Sequence, residues 1–226
     1  MDNKYLINQY INTGMGIPKE QFDMLSGSEK KTYLRKMLIR IKQDGNYIKY
    51  YYDDELPEAL QLAAVTQDGT AIGYIIDKDI TPSEQVQIAA VTKNGDAIYF
   101  ILKKGTPSEE VQLAAVTKYS GAIRYVLEKG IVPSEAVQLA AVTQYGYGIK
   151  YILKKGIIPS EAVQLATVKE NGDNIRYIID NGIIPSEAVQ LTAVTNDGGV
   201  IDYILEKGIT PSERVKMIAN RNRNYG

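Results

Sequence analysis

Tyrosine, arginine and lysine concentrate in the middle of this 226-residue chain, at Tyr99, Tyr119, Arg124, Tyr145, Tyr147, Lys150 and Arg176. Flat aromatic faces and long cationic side chains do the chemistry of noncovalent recognition, and these residue types dominate binding hot spots. Covalent chemistry has much less to work with. The chain has no histidine and no cysteine, which removes the commonest general base, the commonest zinc ligand and every thiolate. Acidic residues recur at Glu109, Glu135, Glu161 and Glu187, each at the start of an expected helix, where the helix dipole accounts for it. The glycines recur at one fixed interval and form no phosphate-binding loop. This reading assigns no catalytic residue, no metal ligand and no cofactor, and expects no enzyme.

What positions those seven residues is a repeat. "PSEAVQLAAVTQYGYGIKYILKKGII" at 133–158 is followed at once by "PSEAVQLATVKENGDNIRYIIDNGII". Pro57, Pro82, Pro107, Pro133, Pro159, Pro185 and Pro211 mark the units at spacings of 25 or 26. An aromatic column runs Tyr50, Tyr74, Phe100, Tyr125, Tyr151, Tyr177, Tyr203, with isoleucine two positions before each.

Each unit predicts two short helices. In Val86–Val91 apolar residues fall at i, i+3 and i+4 and alanine favours helix. Thr81, Thr106 and Thr210 begin "TPSE" capping boxes with proline at the first helical position; where Val132, Ile158 or Ile184 precedes the proline, Ser134, Ser160 or Ser186 caps instead. Gly69, Gly95, Gly146, Gly172 and Gly198 are expected to stop the first helix in the left-handed conformation. The second helix ends at Lys-Gly, with the cation complementing the dipole. The predicted fold is all-α, an α-solenoid of short helix–turn–helix repeats with capping units at both ends. Residues 1–31 form an N-terminal cap with a degenerate half repeat, in which Phe22 takes the valine position. Residues 32–210 form the array and 211–226 a C-terminal half repeat with a polar tail. In the cap, Ser26 and Glu29 predict a capping box for a longer helix through Tyr33, Met37 and Ile41. Repetition has a physical reason. One unit cannot bury its apolar face alone, so each unit completes its neighbour's core.

Columns that never vary read as packing, and variable columns as places where a surface is specialised. The glutamines Gln61, Gln87, Gln112, Gln138, Gln164 and Gln190 form either an amide ladder to the neighbouring unit's loop or an exposed row that grips a partner's backbone. The alternating Asp77, Lys103, Glu128, Lys154 and Asp180 read as register control, because opposite charges would lie side by side. Two columns vary: Gly73, Tyr99, Arg124, Lys150, Arg176, Asp202 in the second helix, and Asp68, Asn94, Tyr119, Tyr145, Asn171, Asp197 in the turn. Their central members, with Tyr147, form the candidate partner-binding patch.

The pattern "VQLAAVTxNGxAIxYI", over roughly residues 32–219, resembles a family of short α-helical repeats of unknown function from large DNA viruses and bacteria. It is more distantly similar to leucine-rich variant and HEAT-like repeats. The resemblance implies an α-solenoid and a viral or bacterial source; its motif is a packing signature and carries no catalytic residue.

Net charge is −1 overall, but residues 27–52 carry +5, 53–210 carry −8 and 211–226 carry +3. The basic ends and acidic middle admit a self-assembling structural protein, forming a ring, filament or virion component. A nucleic-acid-backbone-binding solenoid is a further alternative, opposed by the −8 of the array, since phosphate attraction dominates such binding. The first expectation is a scaffold for a protein partner, since stacked repeats offer an extended surface. No apolar run approaches the ~20 residues of a membrane span, and "MDNKYLINQY" has no secretory pattern. The expected location is cytoplasmic, in a host cell or virion if the source is viral.

Overall fold

The computed structural model describes residues 3–13, 15–51, 56–143 and 146–223. Among these residues every regular element is helical and there is no strand. The chain divides into two compact units, Met1–Lys118 and Tyr119–Gly226. The first contains α1 (Asn3–Thr13), α2 (Lys19–Asp23), α3 (Gly27–Gln43), α4 (Glu58–Gln67), α5 (Ile72–Ile76), α6 (Glu84–Lys93), α7 (Ile98–Ile101) and α8 (Glu109–Lys118). The second contains α9 (Ile123–Glu128), α10 (Glu135–Thr143), α11 (Gly148–Lys154), α12 (Glu161–Glu170), α13 (Ile175–Asp180), α14 (Glu187–Asn196), α15 (Val200–Glu206) and α16 (Glu213–Arg223).

Within the first unit α3, α4, α6 and α8 pack in chain order; within the second, α10, α12, α14 and α16 do the same. The buried stripe of each first helix is one column set, as in Val86, Ala90 and Val91 or Val189, Ala193 and Val194, all fully buried. Alanine in the middle of the stripe keeps neighbouring helices close. The second helices bury Ile72, Ile75 and Ile76 or Ile175, Ile178 and Ile179 against them. At the N-terminal end Phe22 is buried as expected, its ring 5.5 Å from Tyr33, and Tyr33 stacks on Tyr51 at 6.2 Å. The Ser26–Glu29 capping box opens α3.

Serine, not threonine, caps the repeats. Ser83, Ser160 and Ser186 accept the N–H of Val86, Val163 and Val189, and Ser108, Ser134 and Ser212 do the same for their helices. The proline therefore lies one residue before the cap, outside the helix. Each cap has a second duty. Ser83, Ser160 and Ser186 donate their hydroxyls to Glu58, Glu135 and Glu161 of the preceding repeat, and Ser212 to Glu187 at 2.6 Å.

The glycine between the two helices also differs from expectation. Gly69, Gly95, Gly172 and Gly198 are not left-handed; of that column only Gly146 is, at φ 70°. The first helix stops one residue earlier, at an extended Asp or Asn such as Asp68 (φ −139°, ψ 110°), and a 3-10 turn leads into the second helix. The column needs glycine for space. A Cβ at Gly69 would stand 2.3 Å from the Ala90 carbonyl oxygen of the next repeat, and one at Gly172 would stand 2.5 Å from that of Ala193. Left-handed glycine appears instead after the second helix, at Gly130, Gly156, Gly182 and Gly208.

The glutamine column is buried, with Gln138, Gln164 and Gln190 7–8% exposed. From Gln87 onward each amide nitrogen donates to the carbonyl of its own unit's proline, as Gln138 to Pro133 and Gln190 to Pro185, while Gln61 donates to Leu56; the ladder to a neighbour's loop is not formed. A buried carbonyl is thereby satisfied at the loop that proline stiffens. Among the described residues no ion pair joins two members of the alternating charge column; Asp180 pairs with Lys207 instead.

Candidate functional site

The second helices of the second unit carry the cationic row. Arg124 on α9, Lys150 on α11 and Arg176 on α13 occupy one column of neighbouring helices. Each lies over an aromatic ring. The Arg124 guanidinium sits 4.4 Å from the centroid of Tyr125 and donates to its hydroxyl. Lys150 Nζ is 5.5 Å from the Tyr177 ring and the Arg176 guanidinium 4.3 Å from that of Tyr203, both one repeat further on. Such contacts contribute about 0.5–1 kcal/mol each at exposed sites. Two of the three cations thus reach across to the next repeat, and Arg124 stays on its own helix; all three are held against a ring by the fold itself.

The same column in the first unit has another filling. Gly73 leaves room for the Phe100 ring, which would lie 3.0 Å from a Cβ there. The column is thus a contact with the next repeat's aromatic as well as a surface. Tyr99, also in the first unit, is 48% exposed, meets Phe100 edge-on at 5.3 Å and has Lys103 Nζ 5.2 Å from its centroid.

The turn column separates into two groups. Asp68, Asn94, Asn171 and Asp197 each accept the N–H two residues on, at 2.8–3.0 Å, and so cap the following turn. Those four are structural. Tyr119 has the same backbone, φ −149° and ψ 106°, but no side-chain cap. Its ring is 42% exposed and leans over Gly121. Tyr147, at the start of α11, is 58% exposed beside the left-handed Gly146. Tyr145 falls outside the described residues.

Around Tyr203 the charges are tied together. Lys207 donates to Asp180 at 2.7 Å, the Tyr203 hydroxyl donates to the same carboxylate, and Arg176 also pairs with Asp173. The hydrogen bonds from Lys207 and then Tyr203 hold the Asp180 carboxyl below the usual carboxylate range, and the bond to Asp180 pushes Lys207 upward. A depressed carboxyl contributes stability above the unfolded-state value of about 3.9, and that stability is lost as pH falls through the folded value. Urea midpoints should therefore fall below about pH 4, and Asp180→Asn should lower the midpoint between pH 6 and 8 and make the acid fall shallower. An unchanged acid limb would show that the carboxylate is not stabilised in the fold.

One set of exposed residues entered the sequence reading only as markers of helix starts. Val132, Ile158 and Ile184, the residues before proline, are 71%, 78% and 76% exposed. The signal was in the column itself, where Thr81, Thr106 and Thr210 hold the same place in other repeats. Among the described residues no group of three or more acidic side chains could hold a metal ion, and no helix is long and apolar enough to cross a membrane. Neither family models nor curated proteins give a match to this chain.

Proposed function

We propose that the chain is a non-enzymatic α-solenoid scaffold that holds a protein partner on the second-helix face of its second unit. The contact set is Tyr119, Arg124, Tyr147, Lys150 and Arg176; Tyr99 belongs to the first unit and stands outside it. The observation that carries this reading is the turn at Tyr119. There a cap that other repeats keep, worth about 0.5–2 kcal/mol, gives way to a half-exposed tyrosine on unchanged backbone. Folding does not account for that exchange, whereas a need for exposed aromatic area at the site does. The cation–aromatic band beside it lowers the entropy that a partner must overcome on binding, because its long side chains are already held.

The nucleic-acid alternative is weaker on physical grounds. The array is net negative, and its row of cations is engaged by tyrosine rings. The test is cross-linking capture by the full chain, with Tyr147→Ala/Lys150→Ala beside it. The double variant should lose at least 10-fold of a captured partner while keeping helix content and melting temperature. Equal capture by both proteins would sink the reading, as would capture that a random oligonucleotide competes away.

A further inference from the structure

The loops that follow the second helices form a second surface, which meets the cation–aromatic band at Lys207. After α13 the left-handed Gly182 turns the chain, Ile183 donates its N–H to Ile178, Ile184 projects outward and Pro185 leads to the cap of α14. The next loop, after α15, repeats this path through Gly208 and Ile209. Between the two runs an open groove of about 430 Å³, lined by Ile179, Ile183, Ile184, Gln190, Lys207 and Ile209 among others.

Gln190 makes this groove more than an apolar furrow. Its side chain is 7% exposed, its amide nitrogen is committed to Pro185, and its amide oxygen has no hydrogen-bond partner. A buried acceptor left unmade is costly, and a donor arriving in the groove would relieve it. The donor must bring apolar surface with it, because the walls are isoleucine. The interior backbone N–H groups of a helix are already bonded and cannot supply that donor. An extended segment can.

Spacing narrows the choice. Val132, Ile158 and Ile184 stand one repeat apart, and packed first helices set that interval at about 8–10 Å. A polyproline-II chain advances ~3.1 Å per residue with three residues per turn, so every third side chain returns to one face after ~9 Å, and its N–H groups are free. Charge narrows it further. Lys129 and Lys155 are exposed at matching loop positions along this edge, and Lys207, at the same position beside the groove, is paired with Asp180. We propose that the loop edge of the second unit docks an extended, polyproline-II-like segment of a partner polypeptide, with an aliphatic residue at every third position and an acidic flank. The first unit provides the contrast. Its equivalent groove has Thr81 where this one has Ile184, while Thr106 there matches Thr210 here.

The test pans a phage-displayed random dodecapeptide library on the full chain, counter-selected on Ile158→Lys/Ile184→Lys. Both side chains are more than 70% exposed, so that variant should keep its helix content; Val132→Lys, one loop away, is the fallback. Synthetic peptides of the enriched sequence should show aliphatic residues three apart and bind the double variant at least 10-fold more weakly. N-methylation of one peptide nitrogen should cost about 10-fold with the native chain and little with Gln190→Leu. The proposal is overturned if no peptide distinguishes native from variant, if the enriched peptides bind as helices, or if N-methylation costs the same with both proteins. It is also overturned if light scattering finds a native oligomer that the lysines dissolve, since a second copy would then cover this edge.

Discussion

Gly69→Ala should lower the stability of the chain by about 2–3 kcal/mol, the upper part of the range for overpacking a close contact. The added methyl would lie 2.3 Å from the Ala90 carbonyl oxygen and 3.0 Å from the Asn94 backbone nitrogen. Neither is the end of a flexible side chain that could swing aside. α4 and α6 would have to separate, loosening Ala64, Val65, Ala90 and Val91, all fully buried. Backbone conformation plays no part, because Gly69 is not left-handed. Gly105→Ala is the control. Nothing lies within 4 Å of a Cβ there and its φ is ordinary, so it should be neutral or stabilising by up to about 1 kcal/mol. Urea melts read both effects as shifts of midpoint at unchanged slope. A Gly69→Ala protein as stable as the parent would show that the repeats do not interlock through this glycine.

The second large effect runs the other way. Tyr119→Asn should stabilise the fold by about 1 kcal/mol, raising the melting temperature by roughly 2–4 °C for a chain of this size. The backbone already has the shape that Asn94 and Asn171 use to cap the same turn. The same substitution should cut partner capture at least 10-fold, because it removes an exposed aromatic ring from a site whose cations stay in place. Opposite signs in stability and binding are what distinguish a surface kept for function from one kept for folding. A loss of stability would instead assign Tyr119 to the fold through its contact with Gly121. Unchanged capture would remove it from the site.

Local pattern was enough to read the helix pairs, the Ser26–Glu29 box and the core role of Phe22, since each depends on residues within a turn or two of one another. What was not legible depends on how one repeat is rotated onto the next. Gly69 looked like a helix stop because the Ala90 carbonyl that excludes a side chain is 21 residues away. Arg176 looked like a free surface cation because the ring beneath it, Tyr203, belongs to the following repeat. Thr81 suited a cap on sequence, and the path of the proline loop gives that place to Ser83 instead. Gln190 offered a ladder to the neighbouring loop or an exposed row, and the structure has neither: the side chain is buried and its nitrogen serves its own unit's loop, a contact that depends on how the proline loop turns.

The serine hydroxyls bear on how the array comes apart. The oxygen of Ser186 both accepts the Val189 N–H that starts α14 and donates to Glu161 at the start of α12. Fraying of α14 therefore strips a donor from the preceding repeat in the same event, and Ser160 passes the disturbance on to Glu135. Melting at one helix start raises the chance of melting at the next, so opening along this edge behaves like an unzipping rather than as independent breathing of separate turns. Of the caps, Ser186 and Ser160 form such a relay from α14 through α12 to α10.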